Sequence, residues 1–195
     1  MADINSAPVF GGGSGVVTTA VGGSQDFGFG LAIQTDGKLV VAGSSQVGSN
    51  DDFALVRYNA DGSLDTSFGG GGIVTTAVGL SNDRGQSVAV QADGKIIVTG
   101  YSENDSDYDF ALVRYNADGT LDTSFGSGGI VTTDVSGDDV GLSVVIQPDG
   151  KPGSYATVAM VTDPRMDVEW VVTEHGAVNL RGKSTKERAD ALISI

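Results

Sequence analysis

Three carboxylates at alternate positions, Asp105, Asp107 and Asp109 in the run Asp105-Ser106-Asp107-Tyr108-Asp109, have the spacing in this chain best suited to a hard cation. Ca²⁺ takes about six to eight oxygen ligands, and short acidic loops supply them. These three are therefore the candidate metal ligands, with calcium as the candidate cofactor. An EF-hand would next ask for Gly at the sixth place and Glu at the twelfth. Phe110 and Asn116 stand there instead. The corresponding loop one repeat earlier, Gly48-Ser49-Asn50-Asp51-Asp52, carries fewer carboxylates. An exposed acidic loop is the plainer explanation of the run.

The other residues with chemical potential are sparse. Glu174 and His175 are adjacent, so on a strand they point to opposite faces and do not form an acid–base dyad. His175 is the only histidine and there is no cysteine, which excludes thiolate zinc sites, disulfides and cysteine nucleophiles. Arg57 and Arg114 recur at one place in otherwise apolar strands. A guanidinium there is expected to bond an aspartate or carbonyl of a neighbouring structural unit. The run Gly69-Gly70-Gly71-Gly72 lacks the Gly-Lys-Ser/Thr ending of a phosphate loop and reads as a flexible connection. No set of residues qualifies as catalytic.

These residues are carried by a repeat of 57 residues. Gly15, Gly72 and Gly129 each open the phrase Gly-Val/Ile-Val-Thr-Thr. A second phrase, Gln-x-Asp-Gly-Lys, starts at Gln34, Gln91 and Gln147, and a third, Asp-Phe-Ala-Leu-Val-Arg-Tyr-Asn-Ala-Asp-Gly, at Asp52 and Asp109. A fixed period of this size marks a solenoid, propeller or array. One unit reads as four short strands, Ile73–Val78, Ser87–Gln91, Lys95–Tyr101 and Asp109–Tyr115, rich in Val, Ile, Thr and Phe. Apolar residues run on without alternating, as in Phe53-Ala54-Leu55-Val56, which points to sheets covered on both faces. Asp36-Gly37, Asp93-Gly94 and Asp149-Gly150 are hairpin signals, and Asn59–Gly62 and Asn116–Gly119 further turns.

Composition divides the chain near Gly150. Residues 1–150 hold 19 acids, 18 of them Asp, against five bases, while 151–195 hold six of each, so the net charge of −14 belongs to the repeats. Asp caps its own turns and Glu does not, which explains the bias. Such acidity repels phosphate backbones and anionic lipid, arguing against nucleic-acid and membrane partners. No stretch has the length of a membrane span, and the first residues have neither the basic nor the apolar region of a secretory signal.

The long phrases at 52–69 and 109–126 resemble the delta-60 repeat family of large bacterial surface or secreted proteins, a likeness extending over 9–151. It implies a propeller-like fold, about one blade per repeat, and no enzymatic activity. After Lys151, Pro152-Gly153 interrupts the expected strand. Val168–Thr173 then reads as a strand, and Ser184-Thr185-Lys186-Glu187 as a capping box opening a terminal helix. The runs Val161–Val168, Val171–Gly176 and Leu180–Ser184 resemble the C-terminal domain of acetyl-CoA hydrolases and 4-hydroxybutyrate-type CoA-transferases. The catalytic glutamate of that family lies upstream of the matched stretch, so no residue here takes its role. One resemblance implies an exported or cell-surface location, the other a cytoplasmic one.

The expected fold is mainly β, with propeller-like four-stranded repeats over 1–150 and a short α/β segment over 151–195. About two and a half units leave open faces, since propellers usually close with about four to eight blades. The expected function is a non-enzymatic structural or binding module, with two or three copies completing a ring. The alternatives are an acyl-CoA hydrolase or transferase relative, resting on the tail, and a weak metal-assisted hydrolase built from carboxylates at the junction. Natural fusion, cloning chimera and design are all compatible with so abrupt a division.

Overall fold

The computed structural model describes residues 10–23, 25–135 and 137–146, together with the backbone of strands 156–160, 170–173 and 176–179. Twelve strands lie among the described residues. The first antiparallel sheet comprises β1 (Asp26–Ile33), β2 (Leu39–Val47), β3 (Asn50–Tyr58) and β4 (Ile73–Thr76), in sequence order. The second repeats it 57 residues later with β5 (Asp83–Val90), β6 (Ile96–Glu103), β7 (Tyr108–Tyr115) and β8 (Ile130–Thr133). The third runs from β9 (Val145–Ile146) through β10 (Ala156–Met160) and β11 (Trp170–Thr173) to β12 (Gly176–Asn179).

The four-strand repeat and its turns are as expected. Gly37 and Gly94 take φ of 83° and 87°, which glycine adopts without strain, and Gln34 and Gln91 close the turns on the carbonyls of Lys38 and Lys95. The phase of the repeat is corrected. Ile73–Thr76 does not open the second sheet but closes the first, pairing with Phe53–Val56. A sequence period fixes the spacing of equivalent strands but not where one sheet ends, which only the pairing decides. The glycine run 69–72 is likewise not a flexible connection but a defined turn, with the Gly72 amide on the Phe68 carbonyl at 2.7 Å.

The sheets stack face to face. Val40, Ala42, Phe53 and Leu55 of the first meet Val88, Val98, Val113 and Tyr115 of the second in one buried cluster that also holds Phe68. Ile97, Phe110 and Leu112 on the far face of the second sheet pack with Val144 and Ile146. The compositional break at Gly150 is not a break in the sheet: β10 pairs with β9, and β11 and β12 follow antiparallel. The capping box at Ser184, the Pro152-Gly153 step, the Asp149-Gly150 turn and the Glu174-His175 pair lie outside the described residues.

Both complete sheets carry a bulge in their first strand, between Gly28 and Gly30 and between Gly85 and Ser87. There the neighbouring backbone comes so close that a Cβ at Gly100 would run into the carbonyl of Arg84, as one at Gly43 would into that of Phe27. Gly100→Ala is therefore expected to cost about 1–3 kcal/mol. Gly70→Ala, whose Cβ would meet nothing nearer than 3.7 Å, should be almost neutral. Denaturant melts of the two variants check this.

Candidate functional site

The acidic run lies on the β6–β7 hairpin. Asn104 organises it: its Oδ1 accepts the amides of Ser106 and Asp107, and its Nδ2 donates to Asp107 Oδ1 and Asp109 Oδ2, each at 3.0 Å. Asp107 and Asp109 are thus drawn to a side-chain amide, and Asp105 is not among its partners. Among the described residues no group of three or more acidic or imidazole side chains is arranged to hold a metal ion. Asp109 Oδ1 is buried without a hydrogen-bond partner. It borders a cleft of about 250 Å³ with Ser102, Glu103, Asp105 and Thr132.

Elsewhere aspartates serve the turns. Asp36, Asp61, Asp65, Asp93, Asp118 and Asp122 each accept the backbone amide two residues on. This is the turn chemistry expected from the Asp excess.

The recurrent arginines form the most elaborate polar site. Arg57 Nε meets Asp65 Oδ2 at 2.8 Å, Lys38 Nζ reaches the same oxygen at 2.9 Å, and the guanidinium lies 4.4 Å from the centre of the Phe68 ring. Its Nη1 donates to the Ala117 carbonyl of the next sheet at 2.6 Å. The expected bond to an aspartate or carbonyl of the neighbouring unit is the one to the Ala117 carbonyl, while the aspartate comes from the arginine's own blade. Arg114, Asp122, Lys95 and Phe125 repeat the set. Sequence reasoning missed the lysines and aspartates, although Lys38/Lys95 and Asp65/Asp122 recur with the arginines at the same 57-residue spacing. Between the sheets, Arg84 pairs with Asp51 at 3.0 Å and Tyr115 Oη donates to Thr76 Oγ1 at 2.9 Å.

The first sheet's outer face is the open one. Leu31 is 60% exposed, whereas Val88, its counterpart in the second sheet, is 7% exposed against the first sheet. Ile33, on the same face, is 69% exposed. Phe27 and Phe29 stack at 6.0 Å at the bulge, and Phe27, opposite Ser44, lies on the face towards the second sheet beside Arg84. The exposed apolar row of Leu31 and Ile33 is the candidate interaction surface. Among the described residues no helix is long and apolar enough to cross a membrane.

Residues 34–68 and 91–125 match the model of a domain of unknown function (DUF5122), a β-propeller. The repeats are propeller-like, each a four-stranded antiparallel sheet. Residues 153–195 match a second model, that of the acetyl-CoA hydrolase/transferase C-terminal domain. No curated protein matches the chain. Both resemblances read from the sequence are thus found. The matched segments run through β2 and β3 to Phe68 and through β6 and β7 to Phe125. Each holds one whole set of arginine, lysine, aspartate and phenylalanine, an arginine latch, apart from the carbonyl that Arg57 takes from the next repeat.

The latch carboxylates sit below the ordinary range. The ammonium of Lys38 and the Ser67 hydroxyl hold Asp65 far down, and the Ser124 hydroxyl with Lys95 does the same for Asp122. An aspartate depressed in the folded state gives stability that is complete above its unfolded value, 3.8, and lost as pH falls through that value towards the folded one. Stability should therefore decline as pH drops below about 5. Asp65→Asn should cost about 3 kcal/mol at neutral pH by stranding buried Arg57, and should flatten the acid limb. Urea melts between neutral and acid pH measure both effects.

Proposed function

We propose that this chain is a non-catalytic propeller module that binds further copies of itself, two or three together completing a ring. The observation that carries this reading is the contrast between Leu31 and Val88. The same position of the same repeat is covered in one blade and open in the other. Covering Leu31 and Ile33 would contribute on the order of 1–2 kcal/mol each, and the natural cover is another blade's face of the type Val40, Ala42, Phe53 and Leu55. The latch, the turn aspartates and the inter-blade hydrogen bonds all serve stacking, and this reading assigns the Asp105–Asp109 hairpin no cation.

A second reading rests on the match over 153–195: an acyl-CoA hydrolase or transferase relative. The matched model is a C-terminal domain only, and it contributes β10, β11 and β12 to the third sheet, a structural use of that segment. Acetyl-CoA incubated with the chain and a thiol reagent discriminates between the readings, with no release of free CoA above background expected.

Light scattering after size exclusion is expected to show a defined dimer or trimer at micromolar concentration. Leu31→Glu should shift it to monomer with an unchanged circular-dichroism spectrum, because the side chain is exposed in the single chain, and should remove any dependence of the melting temperature on concentration. A wild-type chain that is strictly monomeric would overturn the reading.

A further inference from the structure

Residues 10–22 form no strand, yet they reproduce the end of a blade. In the second blade, Tyr115 Oη donates to Thr76 Oγ1, and Tyr58 Oη donates to Thr19 Oγ1 at 2.8 Å in the first. The Gly69 amide meets the Asp118 carbonyl at 2.8 Å, and the Gly11 amide meets that of Asp61 at 2.9 Å. The Phe68 ring lies against Gly119 as the Phe10 ring lies against Gly62. Asp83 takes the amides of Val78 and Gly79, and Asp26 takes those of Val21 and Gly22. Four independent contacts therefore seat Val16–Thr19 on the first blade as Ile73–Thr76 is seated on the second. One thing differs. Ile73–Thr76 pairs with Phe53–Val56, and Ile130–Thr133 with Phe110–Val113, whereas Val16–Thr19 pairs with no strand among the described residues.

We infer that Val16–Thr19 is a preset fourth strand whose edge takes up the third strand of another repeat of this kind, a strand reading Asp-Phe-Ala-Leu-Val-Arg-Tyr at the end of a β-hairpin. The register follows from the two complete blades: Phe opposite Thr19, Ala opposite Thr18, Leu opposite Val17 and Val opposite Val16. In that register the docked Phe and Leu fall over Leu31, Val41 and Val56, just as Phe53 and Leu55 fall over Val88, Val98 and Val113. The incoming arginine reaches the Ala60 carbonyl as Arg57 reaches that of Ala117. The docked hairpin continues the blade-to-blade interface already present in the chain and covers its exposed apolar row. The segment's own side chains alternate suitably, with Val17 and Thr19 half-buried on the blade and Val16 and Thr18 exposed.

This deepens the ring-completion reading and takes from it the kind of partner, a strand of the same repeat. The test is a fluorescent synthetic hairpin with the sequence of residues 95–115, titrated into the full chain. Saturable one-to-one binding is expected, weakened about tenfold or more by Val17→Pro, which removes an amide from the pairing edge, and by Leu31→Glu, which charges the covered face. A hairpin with Phe110 and Leu112 replaced by Asp should not bind. Leu31→Glu keeps the test decisive if Val17→Pro disturbs folding. Absence of binding, or binding indifferent to both chain variants, overturns the inference. An oligomer that ignores the hairpin and is unmoved by Val17→Pro overturns it while leaving ring completion standing. A strict monomer that binds the hairpin does the reverse.

Discussion

A four-stranded sheet that is apolar on both faces cannot stand alone in water. Phe53, Ala54, Leu55 and Val56 are all buried although they point alternately to opposite faces of β3, so each sheet needs a cover on each side. Every other feature of the molecule follows from that requirement. The second blade meets it with the first on one face and with Val144 and Ile146 on the other. The first blade meets it on one face only, with the 10–22 segment lying along part of the other.

The polar groups are arranged so that stacking leaves few of them stranded. A guanidinium inside an apolar strand would be costly if unpaired. Arg57 is instead held by one carboxylate, one carbonyl and one aromatic ring drawn from two blades. That makes the arginine a register mark: its aspartate and ring come from its own blade and its carbonyl from the next. The turn aspartates work on a shorter range, each fixing the amide two residues ahead.

The third sheet shows how little a blade depends on the repeat's own sequence. β9 is the last strand of repeat type, and the strands that follow belong to a stretch matching a different family. Backbone pairing is blind to that change. An antiparallel ladder needs extended segments of suitable length with their hydrogen-bonding edges free, and β10, β11 and β12 supply them.

The sequence alone determined the period, the number of strands in it, the turns and the two family resemblances, because these are set by neighbours in the chain: Asp-Gly at a hairpin, Val-Thr runs in a strand, one phrase recurring 57 residues later. It also marked Arg57 and Arg114 as structural, since a charged residue in an apolar strand has few other uses. Tertiary structure decided which strand closes which blade, which lysine and aspartate hold each arginine, and that Asn104 draws Asp107 and Asp109 to its amide. It also decided that Leu31 is open where Val88 is closed. Each of these depends on what lies opposite a residue in space, and two positions with the same local sequence can have different neighbours there.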